Sequence, residues 1–195
     1  MESTFAVSER LTTRQRQLVD ELVDLFLSQG FAHLTLDEIA ARLGCSKRTL
    51  YALADSKEQL AVRTVRFFFK RSTDQVEAAI ADARSPATRV TRYLEAVAEA
   101  LRPAGPEFRR DLALTAATRE VYEQNTAAAA VRVRQLIDEG IRVGAFRNVS
   151  AVFVGEVVTA TMRRITSGEI GRATDLDDAQ AYAELARLVV AAIRR

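Results

Sequence analysis

Residues 35 to 57 of this 195-residue chain hold two helix starts separated by one sharp turn, and this spacing constrains the fold more than any other stretch. Thr35 followed by Glu38 is a capping box, in which hydroxyl and carboxylate each satisfy an amide left free at a helix start. The helix it opens buries Ile39, Ala40 and Leu43 and stops at Gly44. Ser46 then caps a further helix whose first turn carries Lys47 and Arg48. Two short helices joined this tightly have the layout of a helix-turn-helix, where the second helix enters the DNA major groove and its N-terminal residues reach base edges.

The rest of the chain reads as helix too. From Thr13, apolar residues at Leu18, Val19, Leu22, Val23, Leu25 and Phe26 follow the spacing of an amphipathic helix, and Gly30 offers a left-handed stop. The helix opened by Ser46 is expected to run through Ala54 with Leu50 and Leu53 inward. Ser56 and Gln59 read as a second capping box, opening a long fourth helix through Leu60, Val65 and Phe67-Phe68-Phe69 to about Ala83. Further helices are expected at about 86–102, 107–122, 125–143, 150–167 and 176–194. The breaks fall at Pro103 to Pro106, a polar joint near Gln124, Gly144 to Asn148, and Gly168 to Asp175. Pro86 and Pro106 suit first-turn positions, and Ser150 and Asp175 suit N-caps. The expected fold class is all-α with about nine helices. It divides into a flexible arm over 1–12, a helix-turn-helix domain over 13–60 and a helical bundle over 61–195.

Composition agrees and excludes several classes. Three prolines and eight glycines are too few for an all-β or linker-rich chain, and 48% hydrophobic residues suffice for a real core. The single Cys45 rules out an internal disulfide framework. No apolar run approaches the roughly 20 residues that span a bilayer, and residues 1–10 do not read as a signal peptide, so a cytoplasmic protein without a membrane partner is expected. One His33 and one Cys45 cannot build a zinc site or a histidine-based triad, and no Gly-rich phosphate loop appears. Asp175, Asp177 and Asp178 are explained as acids at a helix start. Neither metal, cofactor nor catalytic activity is expected.

Net charge is only +2, and residues 1–60 carry seven bases against nine acids, so composition alone does not point to nucleic acid. Placement does. Lys47 and Arg48 sit at a helix N-terminus, where cations oppose the dipole, and Lys57 repeats that arrangement one helix later. Phosphate is the natural anion to stand opposite.

The elements Gly30-Phe31, Thr35, Ile39-Ala40, Gly44-Cys45-Ser46, Leu50-Tyr51 and Ser56-Lys57-Glu58 resemble, in order and spacing, the TetR (AcrR-like) family of bacterial transcriptional regulators. The likeness covers about residues 13 to 60; beyond them it is architectural. It implies that Thr35 and Ser46 touch phosphate while capping, that Lys47, Arg48 and Thr49 lie over the bases, that the Tyr51 hydroxyl meets a phosphate, and that Lys57 clamps the backbone. The chain departs from the family at Ala52-Leu53-Ala54, where an aromatic and then His-Phe are usual. Leu53 or the Phe67 cluster is expected to seat the recognition helix instead, and Arg48 is able to reach a base in place of the absent aromatic and His.

The resemblance further implies a homodimer on a pseudo-palindromic operator of double-stranded DNA, and a small-molecule effector within the C-terminal bundle. Residues 151–166 carry small residues that permit close helix contact, and helix 176–194 is apolar on more than one side through Tyr182, Leu185 and Leu188, which suits a partner surface as well as a core. Phe68, Tyr93, Phe108, Tyr122 and Met162 are the candidate cavity residues, with plain core as their alternative. A dimeric repressor released by its effector is the leading reading. A ligand-responsive activator on the same fold, a helical ligand-binding protein without DNA recognition, and a helical-bundle enzyme stand as alternatives.

Overall fold

In the computed structural model, which describes residues 12–195, the chain is built of ten helices with no strand among the described residues. They are α1 (Thr13–Gln29), α2 (Leu36–Arg42), α3 (Lys47–Tyr51), α4 (Lys57–Ile80), α5 (Pro86–Leu101), α6 (Pro106–Leu112), α7 (Ala116–Arg142), α8 (Ala151–Thr166), α9 (Glu169–Thr174) and α10 (Asp178–Ile193). The expected arm over 1–12 lies outside the described residues except for Thr12, which caps α1 through the amide of Gln15.

Local chemistry sets most of the boundaries. Hydroxyls of Thr35, Ser46, Ser56, Ser85, Thr115 and Ser150 likewise each accept from an amide three residues on, so with α1 seven helices begin on the same device. The expected box at Ser56 is only half formed. Ser56 caps Gln59, but the Gln59 side chain accepts from the amide of Asp55 rather than from that of Ser56.

Three boundaries differ from the sequence reading. The polar joint near Gln124 is continuous helix, and α7 runs unbroken over Ala116–Arg142. A polar pair without Gly or Pro does not stop a helix, and the Thr126 hydroxyl bonds back to the carbonyl of Tyr122. The chain turns instead at 113–115, where the Thr115 cap begins the long helix. The interval 168–175 holds a short extra helix, α9, and Asp177 rather than Asp175 caps α10. Asp175 lies in the left-handed region at φ 57°, after the end of α9.

Two hydrophobic cores result. One gathers the inner faces of α1, α2 and α3 with Leu60 to Phe69 of α4 and with Phe108, Leu112 and Val121. The other gathers Val76 and Ile80 of α4 with α5, the later part of α7, α8 and α10. Helix α4 thus contributes to both. No helix among the described residues is long and apolar enough to cross a membrane.

Packing in the second core is close where α7 turns back toward α8. Gly140 is buried, and a Cβ there would lie 2.1 Å from the ring of Phe146, itself only 1% exposed. Replacing Gly140 with alanine should therefore destabilise the fold by about 1–3 kcal/mol through overpacking. Urea unfolding of the variant checks this, and an unchanged midpoint would mean the ring yields freely.

Candidate nucleic-acid interface

Helix α3 has five residues, too short to hold itself, so its orientation comes from anchors at both ends. Leu50 is its buried residue at 1% exposed, and Leu53 just beyond, at 3%, enters the same core. Leu53 thus helps seat α3, and Phe67 packs partly buried against the same cluster. Below it, Arg63 of α4 donates to the carbonyl of Leu53 at 2.6 Å. At the other end Ser46 accepts from the amide of Thr49 at 3.2 Å, and their hydroxyls meet at 2.9 Å.

These anchors leave the polar side chains outward. Arg48 is exposed and makes no ion pair among the described residues, and Tyr51 is 50% exposed. Lys47 reaches back to Asp37 of α2 at 2.7 Å, and that hydrogen bond raises its pKa above the ordinary lysine value. Thr35 sends both its amide and its hydroxyl to the Glu38 carboxylate, at 2.7 and 2.8 Å. The Glu38 carboxyl is correspondingly held below its usual range by these two bonds. Lys57 donates to the carbonyl of Ala32 at 2.6 Å. The seven sequence-nominated positions therefore lie at three successive helix starts, except Tyr51 at the end of α3, and the side chains of Lys47 and Lys57 both turn back toward the segment that opens α2. Of the seven, only Arg48 and Tyr51 have no hydrogen-bond or ion-pair partner among the described residues. Glu38 engages Thr35 in the capping box that the sequence indicates, whereas Asp37, the partner of Lys47 in the same capped turn, was not nominated from sequence.

A second group that sequence did not nominate holds this region to the rest of the molecule. Asp111 of α6 is 5% exposed, and one of its oxygens accepts from the amides of Phe31 at 2.5 Å and Ala32 at 2.8 Å. Gly30, at φ 76°, makes the approach possible, since a Cβ there would lie 2.6 Å from that carboxylate oxygen. The amide of Gly105, before α6, donates to the carbonyl of Leu27 at 2.9 Å. Arg71 of α4 meets Asp20 of α1 at 3.4 Å on another side.

A cavity of about 270 Å³ opens between α4, α5, α7, α8 and α10. Tyr93, Tyr122 and Met162 line it, as nominated. Phe68 and Phe108 do not. Each is 2% exposed in the first core, their rings edge to face at 5.5 Å, because that part of α4 faces α1 and α6. Tyr182 of α10 lines the cavity and was missed, its position reading equally as core or interface.

Comparison with known proteins agrees with this layout. Residues 18–64 match the family described as "Bacterial regulatory proteins, tetR family". The HTH-type transcriptional regulator BetI of Rhizobium meliloti (strain 1021) is 33% identical over 81 residues, which are 42% of this chain and 40% of that protein. The chain thus matches less than half the length of this curated relative. Among solved structures, a transcriptional regulator from Cytophaga hutchinsonii ATCC 33406 is similar with a TM-score of 0.76 at 15% identity, covering 94% of this chain and 100% of that one. A Saccharomonospora viridis structure in complex with choline gives 0.76 at 16% identity, covering 92% and 97%. At such identities the likeness is one of fold.

The Asp111 contact supplies a direct test of how this region is mounted. Asp111→Ala would strand two amides out of water and should cost about 1–3 kcal/mol. Asp111→Asn, which keeps an acceptor oxygen, should cost less. Denaturant midpoints of the two variants check the order.

Proposed function

We propose, on the premise that this chain is a member of the TetR family of bacterial regulatory proteins, that it is a dimeric DNA-binding repressor released from a pseudo-palindromic operator by a small molecule. In this reading residues 13–60 form the DNA-binding domain and 61–195 the effector-binding and dimerisation domain. The observation that carries it is the outward, anchored start of α3, with Arg48 and Tyr51 exposed and without partners among the described residues. Arg48 is suited to bidentate contact with guanine, worth about 1–3 kcal/mol of discrimination. Lys47 and Thr49 would approach neighbouring bases. Thr35, Ser46, Tyr51 and Lys57 would hold phosphates, setting register without reading sequence. For Lys47, binding exchanges the Asp37 carboxylate for the groove.

One short helix reads too few base pairs for a genomic address, which favours paired subunits. The surface suited to pairing lies on α8 and α10, where Val152, Phe153, Val157 and Leu188 are exposed at 56, 69, 44 and 68%. Large apolar side chains exposed together on two neighbouring helices mark an interaction surface. The cavity between α4 and α10 is the natural effector site, and the choline held by the Saccharomonospora viridis protein supports small-molecule binding in this fold.

A mobility-shift assay on the DNA upstream of the gene tests the reading. Wild-type protein should shift a discrete site, with affinity falling steeply as salt rises. Lys47→Ala and Arg48→Ala should each abolish site-specific binding while sedimentation still shows a dimer, and wild-type affinity in both would count against the assignment. Tyr51→Phe should weaken all sequences about equally, so a changed base preference would overturn its phosphate role.

A further inference from the structure

One buried hydroxyl of the cavity lining is left unpaired among the described residues. Tyr182 is 2% exposed, and its hydroxyl is buried without a hydrogen-bond partner. Thr166 stands beside it, with its own hydroxyl donated to the carbonyl of Met162 at 3.0 Å. Tyr93, 5% exposed, lines the same cavity. Burial pushes the Tyr182 phenol up to about 12 and raises that of Tyr93 as well, so both stay protonated at neutral pH.

The charges of the lining are not balanced either. Glu77 is taken up by Arg132 in a two-pronged pair, at 2.7 Å from Nε and 2.8 Å from Nη2. That leaves Arg163, exposed and with no ion pair among the described residues, as the unopposed charge of the lining. The walls between these groups are apolar, formed by Phe69, Val76 and Val97 among others. A volume of about 270 Å³ stands at the small end for ligand pockets and suits a single ring or a short acyl chain.

We propose that this cavity takes a small amphipathic carboxylate, whose apolar body packs on Phe69, Val76 and Val97 and whose carboxylate accepts from the Tyr182 hydroxyl. The inference rests on the effector reading above but not on the contacts assigned to DNA. A cation is disfavoured, because the lining carboxylate is already neutralised by Arg132 and the unopposed Arg163 would repel it. The position of the head group also matters. Arg109 of α6 donates to the carbonyl of Thr166 at 3.5 Å and pairs with Asp178 at 2.9 Å, while its Nε is buried without a partner. A carboxylate at Tyr182 therefore sits beside the residues that grip α6, and two residues further along α6 Asp111 holds the loop that opens α2.

Thermal melting of the full-length protein without DNA tests this. The probes are 3-phenylpropionate and hexanoate, with 3-phenylpropylamine and choline as cationic counterparts. Both carboxylates should raise Tm saturably, and the cations should not. Tyr182→Phe should melt no lower than wild type when free, since it removes only an unpartnered hydroxyl. It should bind the carboxylates about tenfold more weakly, as expected when one bond to a charged acceptor is removed. Lys47→Ala should behave as wild type in these melts, which separates failure here from failure in DNA binding. Saturable stabilisation by the amine or choline equal to that by the carboxylates, no saturable stabilisation by either carboxylate, or unchanged carboxylate affinity in Tyr182→Phe would each overturn the proposal.

Discussion

One carboxylate oxygen of Asp111, shared between the amides of Phe31 and Ala32, fixes how the first three helices are carried by the rest of the chain. It acts at a residue that is gripped twice. The amide of Ala32 is held by α6 through Asp111, and its carbonyl is held by α4 through Lys57. Thr35, which starts α2, follows three residues later, so any displacement of α6 relative to α4 is felt at the first of the three helix starts. The contact is buried and charge-assisted, a stronger kind of bond than surface ion pairs such as Lys47 to Asp37.

What sequence made legible was local. Hydroxyl caps at Thr35, Ser46 and Ser150 announce themselves because donor and acceptor lie three residues apart. The same local reading fails at Gln124, where polarity suggests a break although nothing there obstructs a helix, and at 113–115, where a real turn contains neither glycine nor proline. The half-formed box at Ser56 shows a finer limit, since Gln59 chooses between two amides one residue apart. Contacts between distant residues were out of reach. Asp111 meets its partners across about eighty residues of chain, and no periodicity marks it. Apolar spacing indicated that Phe68, Tyr93, Phe108 and Tyr122 face inward, but not which of two cores each enters. Phe68 and Phe108 pack in the first, whereas Tyr93 and Tyr122 reach the cavity that Tyr182 also lines.

The modest charge of the N-terminal segment also has a structural explanation. Several of its acids are engaged with their own neighbours, Asp37 with Lys47 and Glu38 with Thr35, while Asp20 and Asp24 face Arg71 of α4. Counting charges treats these acids as repelling any polyanion. Placement shows instead that some of them are already engaged by basic and hydroxyl groups of their own segment, and that Arg48 is left unopposed among the described residues.

Helix α4 enters one core with Leu60 to Phe69 and the other with Val76 and Ile80, over a single uninterrupted run. Two cores that share a rod cannot melt in sequence without fraying that rod. The amides in the middle of α4, near Ser72, should therefore be among the slowest to exchange with deuterated solvent, and loss of either half should register cooperatively in the other.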